Sequence, residues 1–243
     1  MTAKDDIFSK PLSRVEDFKF DQNVAAVFPD MIKRSVPGYE NVIIMSGLFA
    51  ERFAQSGTNL YDLGCSLGAT TLAMRQRITA ENCNIIAVDK SSDMVKRCRE
   101  IILEDKNTTT SVDVLEADIR DINYSDNSMT VMNYTLQFLP PEDRKPLLQK
   151  IYDSMIPNAV LVLSEKVTFE EKKNSELFID IYHAWKAHNG YTEMEIQQKR
   201  NALENVLIPD TIPQHIQRLE KVGFKRCELW FQCFNFMSMV AFK

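Results

Sequence analysis

The sequence predicts an α/β fold: a doubly wound, mainly parallel seven-stranded sheet that ends in a C-terminal antiparallel hairpin. Two observations carry that expectation. From residue 59 onward, short apolar runs rich in β-branched residues alternate with amphipathic stretches, the pattern of β-α-β units with helices on both faces. The last two apolar runs are separated by only a short turn. A parallel crossover needs about a dozen residues, so that pair must run antiparallel.

Taken in order, "NLYDLG" from Asn59, "NIIAVD" from Asn84, "SVDVLEAD" from Ser111, "SMTVMNYTL" from Ser128 and "AVLVLSEK" from Ala159 read as the parallel strands. Each is too short for a helix. Between them "TTLAMRQRI", "SSDMVKRCREIIL" and "PPEDRKPLLQKIYDSMIP" read as helices. The second opens on Ser91 and Ser92 as caps; the third carries proline and acids early and basic residues later, the order that suits a helix dipole. "HIQRLEKVGF" is a further helix, and "KRCELWFQ" with "NFMSMVAFK" makes the hairpin. Residues 1–50 read as an N-terminal helical cap and 167–207 as a helical insertion after the fifth strand. With no repeat and no low-complexity linker, 1–243 reads as a single domain.

Composition narrows the function classes. The 243 residues are 44% hydrophobic and 26% charged with a net charge of −5, which suits a soluble acidic protein with a full core. No basic tract that would grip a phosphate backbone is present, so direct nucleic-acid binding is not expected. No stretch is apolar enough to span a membrane, and the charged N-terminus lacks a signal-peptide core; a cytoplasmic protein is expected. The five cysteines form no C-x-x-C pair and the three histidines are scattered, so no metal is expected and the thiols read as free.

The chemistry-bearing stretch is "NLYDLGCSLGATT". It matches the acidic glycine-rich turn [DE]-x-G-x-G-x-G at Asp62, Gly64 and Gly68, but Ser66 stands where the middle glycine would be. That glycine lets a pyrophosphate lie against the backbone, so a side chain there argues against a dinucleotide. A cofactor without phosphate, such as S-adenosylmethionine, tolerates it. The loop by itself does not choose between them.

The other strand ends bear on that choice. The second strand ends in Asp89, an acceptor for both ribose hydroxyls of an adenosine cofactor or, equally, a cap for the helix that follows. The third runs into Asp118 and Ile119, an acceptor and a backbone donor suited to an adenine edge, or simply a polar loop. The fourth ends at Asn133, a cofactor contact or a turn residue. Singly each has its plain alternative. Together they set polar groups at four consecutive strand ends, where an open α/β sheet binds its ligand. The combination points to S-adenosylmethionine.

The order Asp62-x-Gly64, Asp89, Asp118-Ile119, Asn133 resembles the class I S-adenosylmethionine-dependent methyltransferases, with their Rossmann-like sheet. The segments "FDQNVAAVFPDMIKRSVPGYENVI", "QKRNALENV" and "ELWFQCFNF" are more specific and resemble the carboxy-S-adenosyl-L-methionine synthase family over nearly the whole chain. That resemblance implies cofactor contacts from Tyr39, Gly64, Cys65, Ser66, Asp89, Lys90, Asp118, Ile119 and Asn133. It implies that Arg200 meets the carboxylate of the product. It further implies S-adenosylmethionine and prephenate as substrates, carboxy-S-adenosylmethionine and phenylpyruvate as products, a place in tRNA wobble-uridine modification, and a homodimer.

The residues can be read against that chemistry. Prephenate loses carbon dioxide and hydroxide as its ring aromatises. The hydroxide can take a proton from the sulfonium methyl, and the resulting ylide captures the carbon dioxide. Such a step asks the protein for positioning, water exclusion and a cation. By spacing alone Arg200 reads as a solvated charge beside Lys199; the resemblance makes it a fixed carboxylate-binding fork instead. Tyr39, directly after Pro37-Gly38, can turn its ring toward the site, or pack as an ordinary aromatic. Lys33 and Arg34 are candidates for the second carboxylate of prephenate. His183 and His188 read as packing or surface imidazoles, and no general base stands out. The alternatives are a small-molecule methyltransferase sharing the cofactor site, a non-catalytic cofactor-binding subunit and, most distant because of Ser66, a nicotinamide oxidoreductase.

Overall fold

The computed structural model describes residues 3–107 and 109–243. The parallel strands are β1 (Asn59–Leu63), β2 (Asn84–Asp89), β3 (Ser111–Glu116), β4 (Asn127–Asn133) and β5 (Met155–Thr168). The hairpin is β7 (Arg226–Cys233) and β8 (Phe236–Phe242), with β8 antiparallel to β5 and β7 at the edge. The order is β3-β2-β1-β4-β5-β8-β7. From β1 the chain winds outward to β2 and β3, then returns to place β4 on the other side of β1. The crevice over the carboxyl ends of β1 and β4 is therefore the topological switch point.

Side-chain alternation sorts the core into two layers. Tyr61, Leu63, Met132, Leu161 and Leu163 pack with Leu147, Leu148 and Ile151 of α5 (Pro141–Ser154) and Leu219 and Val222 of α8 (Ile212–Val222). Their strand neighbours Leu60, Val131, Val160 and Val162 face the opposite side, toward Ala50 of α2 (Tyr39–Phe53) and Met74 of α3 (Ala69–Arg75). β4 is buried along nearly its whole length because helices cover both faces, whereas edge strand β3 alternates between half-buried and exposed.

The structure differs from the sequence expectation at four places. An eighth strand, β6 (Asp210–Thr211), pairs with Val167 and Thr168 of β5. Two residues carry no alternation to read; β6 is instead held by Arg144, whose Nη1 lies 2.6 Å from Asp210 Oδ2. The helix read through Pro157 ends at Ser154, and β5 starts at Met155 rather than Ala159. The helix read as "TTLAMRQRI" ends at Arg75. Helical structure in the cap begins only at α1 (Gln22–Ser35), where Asp21 accepts from Val24 N at 3.0 Å. Residues 3–20 carry no helix. They are held as an extended strap, with Phe18 N donating to Ala202 O (2.9 Å) and Gln198 bonding Phe8 O, Lys10 O and Leu12 N.

The segment after β5 is helical, as α6 (Lys172–His188) and α7 (Glu193–Leu203), the latter started by a Thr192/Glu195 capping box. α4 (Ser92–Glu104) follows β2, and Ser91 caps it by accepting from Met94 N. Among the described residues no helix is long and apolar enough to cross a membrane, and no three or more His, Cys, Asp or Glu cluster as a metal site would require.

Candidate functional site

A cavity of about 460 Å3 opens over the carboxyl ends of β1, β2 and β4. The glycine-rich loop forms one wall. Gly64 leaves β1 at φ +79°, and both Gly64 N and Cys65 N donate to Val88 O (2.8 and 3.0 Å), which folds the loop back onto β2. A Cβ at Gly64 would lie 2.2 Å from Thr135 Oγ1, so the close approach of the β4 loop requires glycine. Ser66 takes a positive φ of +48°, the conformation a glycine would hold there. Its N–H donates to Asp89 Oδ2 at 2.9 Å. A non-glycine residue in this region is held there by its surroundings, and the Asp89 bond is one such restraint.

Asp89 has two duties. Oδ2 secures Ser66 and Oδ1 accepts from Ser91 N at 2.9 Å, at the start of α4. Burial raises its pKa despite these bonds. A carboxylate has about four acceptor positions, so two remain for a ligand. Asp62 does not line the cavity; it is buried under the loop and accepts from Thr71 Oγ1 at 2.6 Å, with burial lifting its pKa to about 7. Asp118 is gripped by Arg120 through Nε (2.9 Å) and Nη2 (2.6 Å), and that bonding lowers its pKa to about 2. Tyr124 Oη donates to Ile119 O at 2.6 Å and steadies the same turn.

Gly64, Cys65, Ser66, Asp89, Lys90, Asp118, Ile119, Asn133 and Tyr39 all line this one cavity. Asn133 is engaged internally: Nδ2 donates to Thr70 Oγ1 (3.0 Å) and Ser46 Oγ (3.3 Å), and Oδ1 accepts from Ser164 Oγ (2.7 Å). Its side chain ties β4 to β5 and to two helices, rather than bonding local backbone as a turn residue would. Tyr39 begins α2 directly after left-handed Gly38, and its ring centroid is 6.3 Å from that of Tyr134.

Arg200 is not among the lining residues. It is exposed in the last turn of α7, while its neighbour Lys199 is buried and lines the cavity. Lys33 is also exposed. Arg34 is committed elsewhere: it pairs with Asp30 at 2.8 Å, donates to Asp5 O and stacks 4.0 Å over Tyr191. Neither reaches the cavity. His188 is exposed and His183 half-buried, outside the lining; burial, before Lys186, lowers the His183 pKa.

The sequence reading passed over Lys166, Tyr134, Tyr182, Phe236 and Lys199, which line the far end of the cavity. One signal was available. Lys166 ends the "LVLSEK" strand, so the strand-end reasoning applied to Asp89 and Asn133 covers it as well. At the roof, Phe20 of the strap packs edge-on against Phe138 at 5.5 Å.

Comparison with known proteins gives the family and the fold. Residues 60–158 match the methyltransferase domain family. Curated carboxy-S-adenosyl-L-methionine synthases of Aliivibrio fischeri (strain ATCC 700601 / ES114) and Escherichia coli O1:K1 / APEC are each 54% identical over 243 residues. These alignments cover all of this chain and 100% and 98% of the relatives. The chain belongs to the carboxy-S-adenosyl-L-methionine synthase family. Solved structures bear on the fold alone. Human N-acetylserotonin methyltransferase, solved with SAM, superposes with a TM-score of 0.60 at 14% identity, over 91% of this chain and 55% of that one. A putative S-adenosyl-L-methionine-dependent methyltransferase of Methanococcus maripaludis gives 0.59 at 16%, over 95% and 96%. The fold is that of the class I methyltransferases, and membership of the family makes the chain a transferase.

Proposed function

We propose that this chain converts S-adenosylmethionine and prephenate to carboxy-S-adenosylmethionine and phenylpyruvate. One observation carries the proposal beyond family membership: adenosine-binding groups and a cationic, aromatic end share one cavity. Gly64, Ser66, Asp89, Asp118 and Ile119 suit the nucleoside. The far end, with Lys166 and Lys199 among tyrosines, suits an anionic, ring-bearing acid rather than a neutral methyl acceptor.

The chemistry balances without a protein nucleophile. As prephenate aromatises, its ring carboxylate leaves as carbon dioxide and its hydroxyl as hydroxide. Hydroxide takes one methyl proton to become water, and the ylide carbon bonds to carbon dioxide. The protein binds both reactants in contact and excludes water that would quench the ylide. Burial holds the Tyr39 and Tyr134 phenols well above their ordinary pKa, so they stay neutral there.

The carboxylate contact of Arg200 belongs to this proposal. From its exposed position it reaches product by a change of rotamer or from a second copy of the chain, and the proposed assembly is a homodimer. With a net charge of −5, the protein suits making the modified cofactor in the cytoplasm, for later use on tRNA, better than gripping the polyanion itself.

Ligand released by denaturing the purified protein should have the mass of carboxy-S-adenosylmethionine. Recovery of only S-adenosylmethionine or S-adenosylhomocysteine, from cells that make prephenate, would replace the synthase with a small-molecule methyltransferase. Arg200→Leu should leave S-adenosylmethionine binding nearly intact and weaken the carboxylated product tenfold to a hundredfold, the equivalent of about 1.5–3 kcal/mol.

A further inference from the structure

Among the described residues, Lys166 is a cation without a counter-ion. It lies near the carboxyl end of β5, opposite Phe236 in the ladder, and its side chain enters the far end of the cavity. Among the described residues its Nζ makes no hydrogen bond and no ion pair; its one recorded partner is the Tyr182 ring, 5.2 Å to the centroid. The adjacent carboxylate does not serve it, because Glu165 points to the other side of the strand and accepts from Leu136 N. Burial, and then Arg200, pull the Lys166 pKa down to about 8.

The surroundings add positive charge. Lys199 Nζ donates to Ser35 Oγ at 3.0 Å and lies 3.7 Å from Asp5 Oδ2. Lys186, also buried, lies 5.6 Å from the centroid of the Tyr182 ring. Asp5, the carboxylate beside Lys199, is shared with Tyr191 Oη, which donates to it. A half-buried ammonium that lines a cavity without a counter-ion is costly to hold there unless a ligand supplies the missing anion. The aromatic wall is equally specific. Tyr39, Tyr134, Tyr182 and Phe236 form a continuous series of ring contacts, and Tyr134 Oη is buried without a hydrogen-bond partner.

We propose that Lys166, backed by Lys199 and enclosed by Tyr39, Tyr134, Tyr182 and Phe236, is the specificity-determining receptor for a carboxylate of the acidic co-substrate. Tyr134 Oη supplies a neutral donor to the same acid. The assignment rests on the proposed function for the identity of that acid, but the geometry calls for a ring-bearing carboxylate in any case. Lys166 and Lys199, against the single carboxylate of Asp5, leave a cation for the ligand, and the rings match an unsaturated six-membered carbocycle.

The experiment compares the parent with Lys166→Met, which keeps length and removes charge, and Lys166→Arg. Calorimetry gives the affinity for S-adenosylmethionine, and then for prephenate on the S-adenosylmethionine-loaded protein; turnover gives KM and kcat. Lys166→Met should bind S-adenosylmethionine within twofold of the parent and lose tenfold to a hundredfold in prephenate affinity, with KM rising in step. Lys166→Arg should recover part of that loss. Equal weakening of both ligands would make Lys166 a contact of the cofactor tail and overturn the assignment; so would unchanged prephenate affinity. If the parent itself neither binds nor turns over prephenate, the proposed function fails, and the receptor is then judged with malonate and phenylmalonate. Lys166-dependent binding of phenylmalonate over malonate would sustain it, and Lys166-independent binding or none would end it.

Discussion

Replacing Asp89 by alanine removes three things at once, and they can be measured separately. In the ligand-free protein the carboxylate accepts from Ser66 N and Ser91 N, each at 2.9 Å. Hydrogen bonds to a charged group are worth about 1.5–3 kcal/mol apiece, but both donors lie at the cavity edge, where water can partly replace the lost oxygens. We therefore expect the ligand-free Asp89→Ala protein to lose about 2 kcal/mol of stability. Ser66 also loses a restraint on its φ of +48°, and relaxation toward negative φ would withdraw the loop from cofactor geometry. Loss of the proposed ribose contacts should cost a further tenfold to hundredfold in affinity. Asp89→Asn should recover little, because its NH2 would face one of the two backbone donors. Urea denaturation of the ligand-free proteins gives the first quantity, and calorimetry with S-adenosylmethionine and S-adenosylhomocysteine gives the rest. Both ligands should weaken alike, since they share the ribose. Unchanged stability with weakened binding would show that the loop keeps its shape without Asp89, through Val88 O and the glycines. Weakened stability with unchanged binding would remove Asp89 from the cofactor site.

Two further outcomes test the frame around the site. Arg144 is fully buried and donates to Leu139 O, Gln137 O and Ile208 O as well as pairing with Asp210. Arg144→Leu should cost about 3–5 kcal/mol in chemical denaturation, and a loss below about 1 kcal/mol would mean that β6 and the β4 loop are held by other contacts. Glu165 is also fully buried, with Oε2 unpartnered, and burial lifts its pKa to about 8. The folded value lies above the ordinary 4.5, so its contribution to stability is complete below about pH 4.5 and is lost as pH rises to about 8. Glu165→Gln removes that titration. Its stability relative to the parent should climb across this window by at most about 1.4 kcal/mol per pH unit, and a flat difference between pH 5 and 8 would show an ordinary carboxylate.

The strands, their direction and the position of the glycine-rich loop were legible because they follow from short-range rules. Alternation in "NIIAVD" and "AVLVLSEK", capping at Ser91 and the two glycines around Ser66 are local facts about backbone and burial. The strand-end rule then brought Asp89, Asp118 and Asn133 to one cavity without any knowledge of side-chain contacts. Tertiary packing decided how those groups are used. Asp89 holds the loop as well as facing the cavity, and Asn133 is engaged by Thr70, Ser46 and Ser164, each far from it in sequence. Packing also selected the cations. Adjacent residues on a helix differ by about 100° in direction, so Lys199 and Arg200 cannot face the same way, and their sequence is silent on which one faces inward. The strap of residues 3–20 and the seat of α7 turn Lys199 to the cavity and Arg200 to the surface. Arg34, by contrast, is drawn away to Asp30 and Tyr191. Which charge lines the cavity is set by the rotation of a helix against distant chain, and no local pattern encodes it.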